Sequence, residues 1–400
     1  MHRLALTWIL GFLLAALPLP GGDAAPGLSP GAEALVARAF RGLGPGSVLD
    51  FHAHLVGLEA GGAFVNPRKL SPRHPLEWAT TRLYLRASGV QGLRDFDRAY
   101  VGKLLERAGA FPAPLRIHLL AMDRVYRRDG SPDDAHTEFF VPNEAVVDLA
   151  RRHPDRFVPV ISVHPYRKDA LEELDRWAAE GVRCVKWLPN AQGMDPADPL
   201  CDPFYARMAV HRMVLLSHAG EERAVKAGEA QRLGNPLRLR RALDAGVTVV
   251  VAHCAGLGEG EDLDHPGRRV PNFELFLRLM GEEKYRGRLF GDLSALTQAN
   301  RMPGPLRAIL RDPGLQARLV NGSDYPLPGI PLLVSPRQFA RLGMVGPGEA
   351  RAIVELLRTN PLLGDFVLKR TLRDPHSGKG LDPAIFTRDP SFLSGPPPAP

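Results

Sequence analysis

Short apolar runs alternate with amphipathic stretches along the chain from residue 47 onward. Each run is almost continuously hydrophobic, which is typical of parallel strands that are buried on both faces. Eight runs predict strands: SVLDFHAH (47–54), LRIHLLAMD (115–123), FVPVISVH (157–164), VRCVKWL (182–188), RMVLLSH (212–218), VTVVVAH (247–253), RLFGDLSA (288–295) and ARLVNGSD (317–324).

Between these runs, apolar residues recur at three- and four-residue spacing, which predicts helices. The helices are predicted over 92–109, 144–153, 169–181, 203–212, 235–246, 273–284, 305–314 and 348–361. Pro361 is expected to stop the last of them. A strand–helix unit repeated eight times predicts an α/β fold of the (β/α)8 barrel type. The first strand is not followed by G-x-G-x-x-G, which argues against a doubly wound sheet with a phosphate loop.

Composition shifts divide the chain into four parts. Residues 1–25 contain an apolar stretch followed by small residues, which predicts a secretory signal peptide, or a membrane anchor if the segment is not cleaved. We therefore expect an exported protein, periplasmic or extracellular, or one tethered to the membrane. The other parts are a linker with a short helix (26–46), the barrel with a long insert after its first strand (47–370), and a C-terminal extension with a proline-rich end expected to be disordered (371–400).

The charge distribution and the cysteine content limit which partner molecules are expected. The chain has 51 Lys+Arg and 44 Asp+Glu, but its basic residues are scattered and no basic block is interleaved with aromatic residues. Nucleic acid is therefore not an expected partner. Three cysteines are too few for a disulfide framework. We expect a small-molecule substrate, membrane contact only through an uncleaved N-terminal segment, and leave a homo-oligomer open.

Two histidines separated by one residue end the first predicted strand. Residues two apart on a strand share a face, so His52 and His54 are expected to project together, opposite to Phe51 and Ala53. Two imidazoles at this spacing can bind one metal ion, although the pattern H-x-H also occurs by chance.

Four more predicted strands carry metal-binding residue types at or near their ends. They are Lys186 on strand four, His218 at the end of strand five, His253 at the end of strand six and Asp324 at the end of strand eight. In barrel enzymes the C-terminal strand ends converge on the active site. We therefore expect these side chains and the histidine pair to form one metal centre.

The motifs DFHAH, VKWLPN, LLSHAGEE, VVAHCAGLG and NGSDYP resemble those of the amidohydrolase superfamily, in particular the amidohydrolase-related metal-dependent hydrolases, over residues 47–365. The resemblance implies that His52, His54 and Asp324 bind the more buried metal. It also implies that His218 and His253 bind a second metal in binuclear members, and that a carboxylated Lys186 bridges the two.

A mononuclear centre is the alternative that the resemblance leaves open. Some relatives hold one metal with the His-x-His pair, the strand-five histidine and the aspartate. In such a site His253 would be an acid/base and Lys186 an ordinary ammonium that holds a substrate anion.

The donor types and the resemblance together imply a divalent metal, with zinc expected, at one or two ions per chain. Asp324 and His253 are the expected catalytic residues, and hydrolysis of an amide, lactone, ester or related bond is the expected reaction. A mononuclear decarboxylase of the same fold and a catalytically inactive binding barrel are the alternatives.

Residues that follow the strand ends are weaker candidates for substrate contacts. Asn190 follows strand four, Glu221 follows strand five, and Asp292 and Ser294 lie on strand seven. Helix and turn capping would explain the same residue types equally well.

Overall fold

The computed structural model describes residues 27–44, 46–58 and 60–390. The predicted signal segment, 1–25, and the proline-rich end, 391–400, lie outside the described residues. Within the described part of the chain, every helix is too short or too polar to span a membrane.

Eight parallel strands form one sheet in chain order. They are β1 (Val48–His54), β2 (Leu115–Leu120), β3 (Phe157–Ile161), β4 (Cys184–Trp187), β5 (Val214–His218), β6 (Thr248–Ala252), β7 (Leu289–Asp292) and β8 (Leu319–Val320). The amide of Phe51 donates to the carbonyl of Asn321 (2.8 Å), and that of His54 donates to the carbonyl of Tyr325 (2.9 Å). These bonds bring the chain after β8 back to β1, so the predicted (β/α)8 barrel is confirmed.

Strand β1 contains a β-bulge beside its histidines. Asp50 pairs with Ile117 and Ala53 pairs with Leu119, so Phe51 and His52 together oppose the single residue His118. A bulge of this kind turns two consecutive side chains toward the same face. Phe51 therefore packs among the residues inside the barrel instead of projecting away from His52 as the alternation predicts.

Helices occur where the apolar spacing predicts them, with ends that differ by a few residues. Between barrel strands and after β8 they are Asn143–Arg152, Ala170–Ala179, Asp202–Val210, Arg240–Asp244, Asn272–Gly281, Gly304–Arg311 and Pro347–Thr359. Shorter α-helical segments are Pro189–Gln192, Pro313–Gln316 and Pro336–Arg341. Pro361 ends the helix before it, as predicted, and also begins the helix Pro361–Thr371, because the first helical turn does not need the missing N–H.

The insert between β1 and β2 contains three helices, Pro67–Leu70, Pro75–Ala87 and Phe96–Gly109, and a further helix, Pro30–Ala39, precedes the barrel. The guanidinium of Arg107 donates to the carbonyl of Ser88 and to the hydroxyl of Tyr325, both at 2.6 Å. At Gly329 an added Cβ would lie 2.1 Å from the carbonyl oxygen of Ala87, so this glycine allows a close approach of two backbones. The insert is thus fixed to the loop after β8.

The C-terminal extension packs against the barrel as far as Pro390. The carbonyl of Ile385 accepts a hydrogen bond from the amide of Asn321 (3.0 Å), directly after β8. The side chains of Ile385 and Phe386 are buried, and a carboxylate oxygen of Asp389 lies 3.4 Å from Nε2 of His118. The described part of the extension is therefore integral to the fold.

Two short antiparallel pairs complete the structure. They are Phe64–Val65 with Phe139–Phe140, and Glu259–Glu261 with Arg269–Pro271. The first pair joins the insert to the loop after β2, and the second lies in the loop after β6.

Candidate metal centre

The six side chains predicted to form a metal centre converge at the C-terminal ends of the strands. His52 and His54 come from β1, Lys186 from β4 and His218 from β5. His253 directly follows β6, and Asp324 follows β8 after a short connection. Neighbouring members of the group lie close together in space.

His52 is the central member. Its Nε2 atom lies 3.2 Å from the amine of Lys186 and 3.5 Å from Oδ1 of Asp324. Its Nδ1 atom lies 2.8 Å from Oδ2 of Asp292. Burial, and then the charge of Lys186, lower the pKa of His52 to about 4. The imidazole is therefore neutral at pH 7, and its Nδ1–H donates to the carboxylate so that Nε2 keeps the free lone pair.

Asp324 faces both histidines of β1. Its Oδ1 atom lies 3.2 Å from Nε2 of His54, and its amide donates to the carbonyl of His52 at 2.7 Å. Burial alone would raise the pKa of Asp324, but nearby His253 and His54 hold it well below its usual value. The backbone of Asp324 has φ +61°, a left-handed conformation that is unfavourable for this residue and is held by the surrounding contacts.

His54 is less enclosed than its partner on β1. Its side chain is 31% exposed, so it borders the open side of the centre, whereas that of His52 is 1% exposed. The hydroxyl of Tyr100, from the insert, donates to the carbonyl of His54 at 2.6 Å. The insert thereby helps to fix the end of β1.

Among the described residues, two groups of side chains have donor atoms close enough together to hold a metal ion: His52 with His54 and Asp324, and His52 with His253 and Asp292. The oxygens of Asp292 are already hydrogen-bond acceptors. Oδ1 accepts from the amides of His253 and Ser294, both at 2.9 Å, and Oδ2 faces Nδ1 of His52. The geometry therefore favours the first group as ligands and Asp292 as the carboxylate that orients His52.

His218 and His253 form the other side of the centre. Their ring centroids are 5.2 Å apart, and Nε2 of His218 is buried without a hydrogen-bond partner among the described residues. Nδ1 of His253 lies 2.7 Å from the hydroxyl oxygen of Ser294. Burial lowers the pKa of His253 to about 3, and burial, followed by the proximity of the His253 ring, lowers the pKa of His218 well below its usual value. Both imidazoles are therefore neutral and can act as ligands.

Lys186 is buried with its amine directed at His52. Burial lowers the pKa of this amine to about 8, against the opposing influence of Asp292 and Asp324. A buried lysine of this kind is easier to deprotonate than an exposed one. The uncharged amine that carboxylation would require is thus accessible near neutral pH.

The weaker candidates occupy different places around this group. The amide nitrogen of Asn190 donates to the carbonyl of Gly220 (3.1 Å), which ties the loops after β4 and β5 together. The carboxylate of Glu221 pairs with Arg223 (3.0 Å), whereas that of the next residue, Glu222, lies 3.5 Å from Nδ1 of His218. Asp292 and Ser294 contact the histidines as described above.

Two residues near the centre have no signal in the sequence that would single them out. Tyr84 comes from the insert helix Pro75–Ala87, and its hydroxyl interacts electrostatically with Glu222 and Asp324. Arg301 lies in the loop after β7, is 8% exposed, and interacts with the same two carboxylates. Their positions depend on tertiary packing, and neither residue belongs to a motif.

An eight-stranded parallel barrel with imidazoles, a carboxylate and a buried lysine at its C-terminal end defines a metal-dependent barrel enzyme. The family model for amidohydrolases matches residues 49–331. The chain therefore belongs to the amidohydrolase family and is a metal-binding enzyme. Comparison with curated proteins gives no match.

Several solved structures are similar to this chain at low sequence identity. An uncharacterized TIM-barrel protein from Bordetella bronchiseptica is 19% identical, covers 80% of this chain and 99% of its own, and has a TM-score of 0.49. A proposed 2-pyrone-4,6-dicarboxylic acid hydrolase from Pseudomonas putida is 18% identical, covers 85% of this chain and 97% of its own, and has a TM-score of 0.43. The 2,6-dihydroxybenzoate decarboxylase from Rhizobium is 12% identical, covers 70% of this chain and 88% of its own, and has a TM-score of 0.41. Similarity at this level does not identify the reaction.

Proposed function

We propose that this protein is a metal-dependent hydrolase that uses one or two divalent ions, with zinc expected, to cleave an amide, lactone, ester or related bond in a small molecule. The observation that supports this most strongly is the close grouping of His52 Nε2, His54 Nε2 and Asp324 Oδ1. Neutral imidazole and ionised carboxylate are ligands that zinc prefers. The buried, unpartnered Nε2 of His218 fits a further metal ligand.

A bound divalent metal supplies a Lewis acid and lowers the pKa of water toward 7. The residues of the chain supply proton transfer and orientation. Asp324 is ionised and can take the proton from the attacking water and deliver it to the leaving group. Neutral His253, held through Nδ1 by Ser294, presents its other ring nitrogen to the centre. Asp292 fixes the ring of His52.

The chemical state of Lys186 determines whether the site holds one metal ion or two. We propose that its uncharged amine takes up CO2, forming an N–C bond and releasing one proton, and that the resulting carbamate would hold two ions when metal binds. The burial that lowers the pKa of this amine to about 8 supports the uptake, because only the uncharged amine reacts.

The second candidate is a mononuclear decarboxylase, and it rests on the same lysine. At pH 7 an amine of pKa about 8 is still mostly protonated. An ammonium group 3.2 Å from His52 would instead hold a substrate carboxylate beside a single metal. The reaction would then release CO2 and would not incorporate water.

Isotope labelling separates the two reactions. The zinc-loaded protein is incubated in water labelled with oxygen-18, together with a panel of amides, lactones, esters and aromatic carboxylic acids. The products are identified by mass spectrometry. We expect 18-oxygen in one product, and a loss of rate of about 10²–10⁴-fold in Asp324→Asn. Release of CO2 without 18-oxygen incorporation would overturn the hydrolase in favour of the decarboxylase. A zinc-loaded protein that is inactive on every compound would favour the inactive binding barrel.

We also propose that residues 1–25 direct export of the protein. Their apolar stretch followed by small residues supports this. Expression in a host with a periplasm should give a secreted chain that has lost about its first 25 residues by intact mass. A full-length chain recovered with the membrane fraction would favour the uncleaved anchor.

A further inference from the structure

Arg301 is a buried cation whose guanidinium has two nitrogens without a hydrogen-bond partner among the described residues. Its side chain lies in the loop after β7 and is 8% exposed. The Nε and Nη1 atoms are buried and have no hydrogen-bond partner within the described part of the chain. Burial of an unpaired charge destabilises a folded protein, so a guanidinium in this state is available to bind an anion.

The guanidinium belongs to the surroundings of the metal centre. It interacts electrostatically with Asp324, Glu222 and Asp292, and it also acts on the two imidazoles His218 and His253. Burial lowers the pKa of Arg301, while Asp324 and then Glu222 oppose that change. The guanidinium is therefore an electrostatic neighbour of the expected metal ligands and of the carboxylates beside them.

No salt bridge within the described residues joins Arg301 to a neighbouring carboxylate, and its Nε and Nη1 atoms stay without a hydrogen-bond partner. Asp324 is the expected ligand of a divalent cation, which would offset its charge. A loaded centre with Arg301 beside it is thus electropositive.

The loop that carries Arg301 is held in one conformation by its own hydrogen bonds. The amide of Arg301 donates to the carbonyl of Gln298 (3.0 Å), and that of Gln298 donates to the carbonyl of Ala295 (2.9 Å). The amide of Ala299 donates to the carbonyl of Leu333 at 2.7 Å. A fixed backbone and a buried side chain leave Arg301 fewer conformations to lose when it binds an anion.

Tyr84, from the insert helix Pro75–Ala87, offers a second donor near the centre. It shares Asp324 and Glu222 with Arg301 as electrostatic neighbours, and its hydroxyl forms no hydrogen bond with the described residues. Burial, and then the charge of Glu222, raise the pKa of this hydroxyl above its usual value, so it remains a protonated donor. Its helix is fixed by the close contact between Ala87 and Gly329.

We infer that the substrate carries an anionic oxygen group separate from the bond that is cleaved, and that Arg301 binds this group with Tyr84 as an additional donor. The inference rests on the proposed function, because it places the anion in the same site. The planar fork of a guanidinium fits two oxygens of one acid group, which a carboxylate and a phosphoryl group both offer. The substrate class is therefore an acid that bears a second, cleavable acyl-type bond.

Binding of dicarboxylates to the zinc-loaded protein tests this inference. One carboxylate can bind the metal while the second reaches Arg301, so the series from malonate to adipate is compared with the corresponding monoamides by calorimetry. We expect at least one dicarboxylate to bind on the order of 10–100-fold more tightly than its monoamide. Replacing one carboxylate of that compound by a phosphonate shows which acid group is preferred.

Two variants separate anion binding from a structural role. Arg301→Met should abolish the preference for the dicarboxylate, leave the zinc content unchanged, and keep or raise Tm, because it removes an unpaired buried charge. The matched control is Arg223→Met, whose exposed guanidinium already pairs with Glu221 and should be dispensable for the preference.

Each outcome separates this inference from the function on which it rests. An unchanged preference in a zinc-loaded Arg301→Met protein would overturn the role of Arg301 and leave the hydrolase intact. A lower Tm with an unchanged preference would assign Arg301 to the fold. A wild-type protein that binds no zinc would overturn the proposed function itself.

Discussion

Replacing Asp292 by asparagine should weaken metal binding although Asp292 is not one of the expected ligands. The carboxylate has acceptor oxygens on two sides: Oδ1 faces the amides of His253 and Ser294, and Oδ2 faces Nδ1 of His52 at 2.8 Å. In Asp292→Asn the side-chain oxygen is expected to keep accepting hydrogen bonds from the amides of His253 and Ser294. The NH2 group then faces His52. The imidazole must then accept at Nδ1 and carry its proton on Nε2, so its ligating lone pair is lost.

Loss of an orienting partner of this kind weakens metal binding by about 10–100-fold, which corresponds to roughly 1.4–2.7 kcal/mol. Zinc dissociation constants are measured by competition with a chromophoric chelator. The matched control is Asp262→Asn, which changes a buried aspartate in the hairpin loop after β6 that pairs with Arg278, and it should leave zinc affinity unchanged. An Asp292→Asn protein with wild-type zinc affinity would refute the orienting role.

A second variant tests which group of side chains holds the metal. If His52, His54 and Asp324 are the ligands, His54→Ala should weaken zinc binding at least as much as Asp292→Asn. If the ion instead lies among His52, His253 and Asp292, His54→Ala should have little effect. Comparing the two variants therefore distinguishes a ligand from a residue that orients one.

Two further predictions concern packing and pH. In Gly322→Ala the new Cβ would lie 2.8 Å from Cβ of His52 and 3.1 Å from Cβ of Ser294, so zinc affinity should fall and unfolding in urea should show a loss of about 1–3 kcal/mol. Gly348→Ala, whose nearest contact would be at 3.9 Å, is the control: it should leave zinc affinity unchanged and, since it lies in the helix Pro347–Thr359, should not lower stability. Burial lowers the pKa of His164 to about 3, so between pH 6.5 and that value the unfolded chain binds a proton that the folded protein does not, and stability falls as the pH falls. His164→Gln should reduce the loss of stability between pH 6.5 and 5 by about 2 kcal/mol in urea unfolding, and an unchanged pH profile would contradict this account.

The barrel and the main features of the centre are predictable because both depend on local pattern. Continuous apolar runs mark the buried parallel strands, and the ends of those runs carry His218, His253 and Asp324. The convergence of strand ends is a general property of the fold, so residues far apart in sequence could be placed together without coordinates.

Other features depend on contacts that no local pattern encodes. The bulge that turns Phe51 inward is set by pairing with β2, where two residues face His118 alone. Tyr84 reaches the centre because the insert packs on the loop after β8, and Arg301 because its own loop folds inward after β7. Pro361 illustrates an ambiguity of a different kind, since the same ring that ends one helix is also favoured at the start of the next.

The metal content of the protein without residues 1–25 tests the central claim most directly. Elemental analysis is performed on wild type and Lys186→Ala after loading with zinc and removal of excess metal. The proposed centre predicts two ions per wild-type chain and one or none in the variant. One ion in both proteins would contradict the bridging role of Lys186 and support a mononuclear enzyme. A wild-type chain that retains no divalent metal would contradict the assignment of a metal centre to these strand ends.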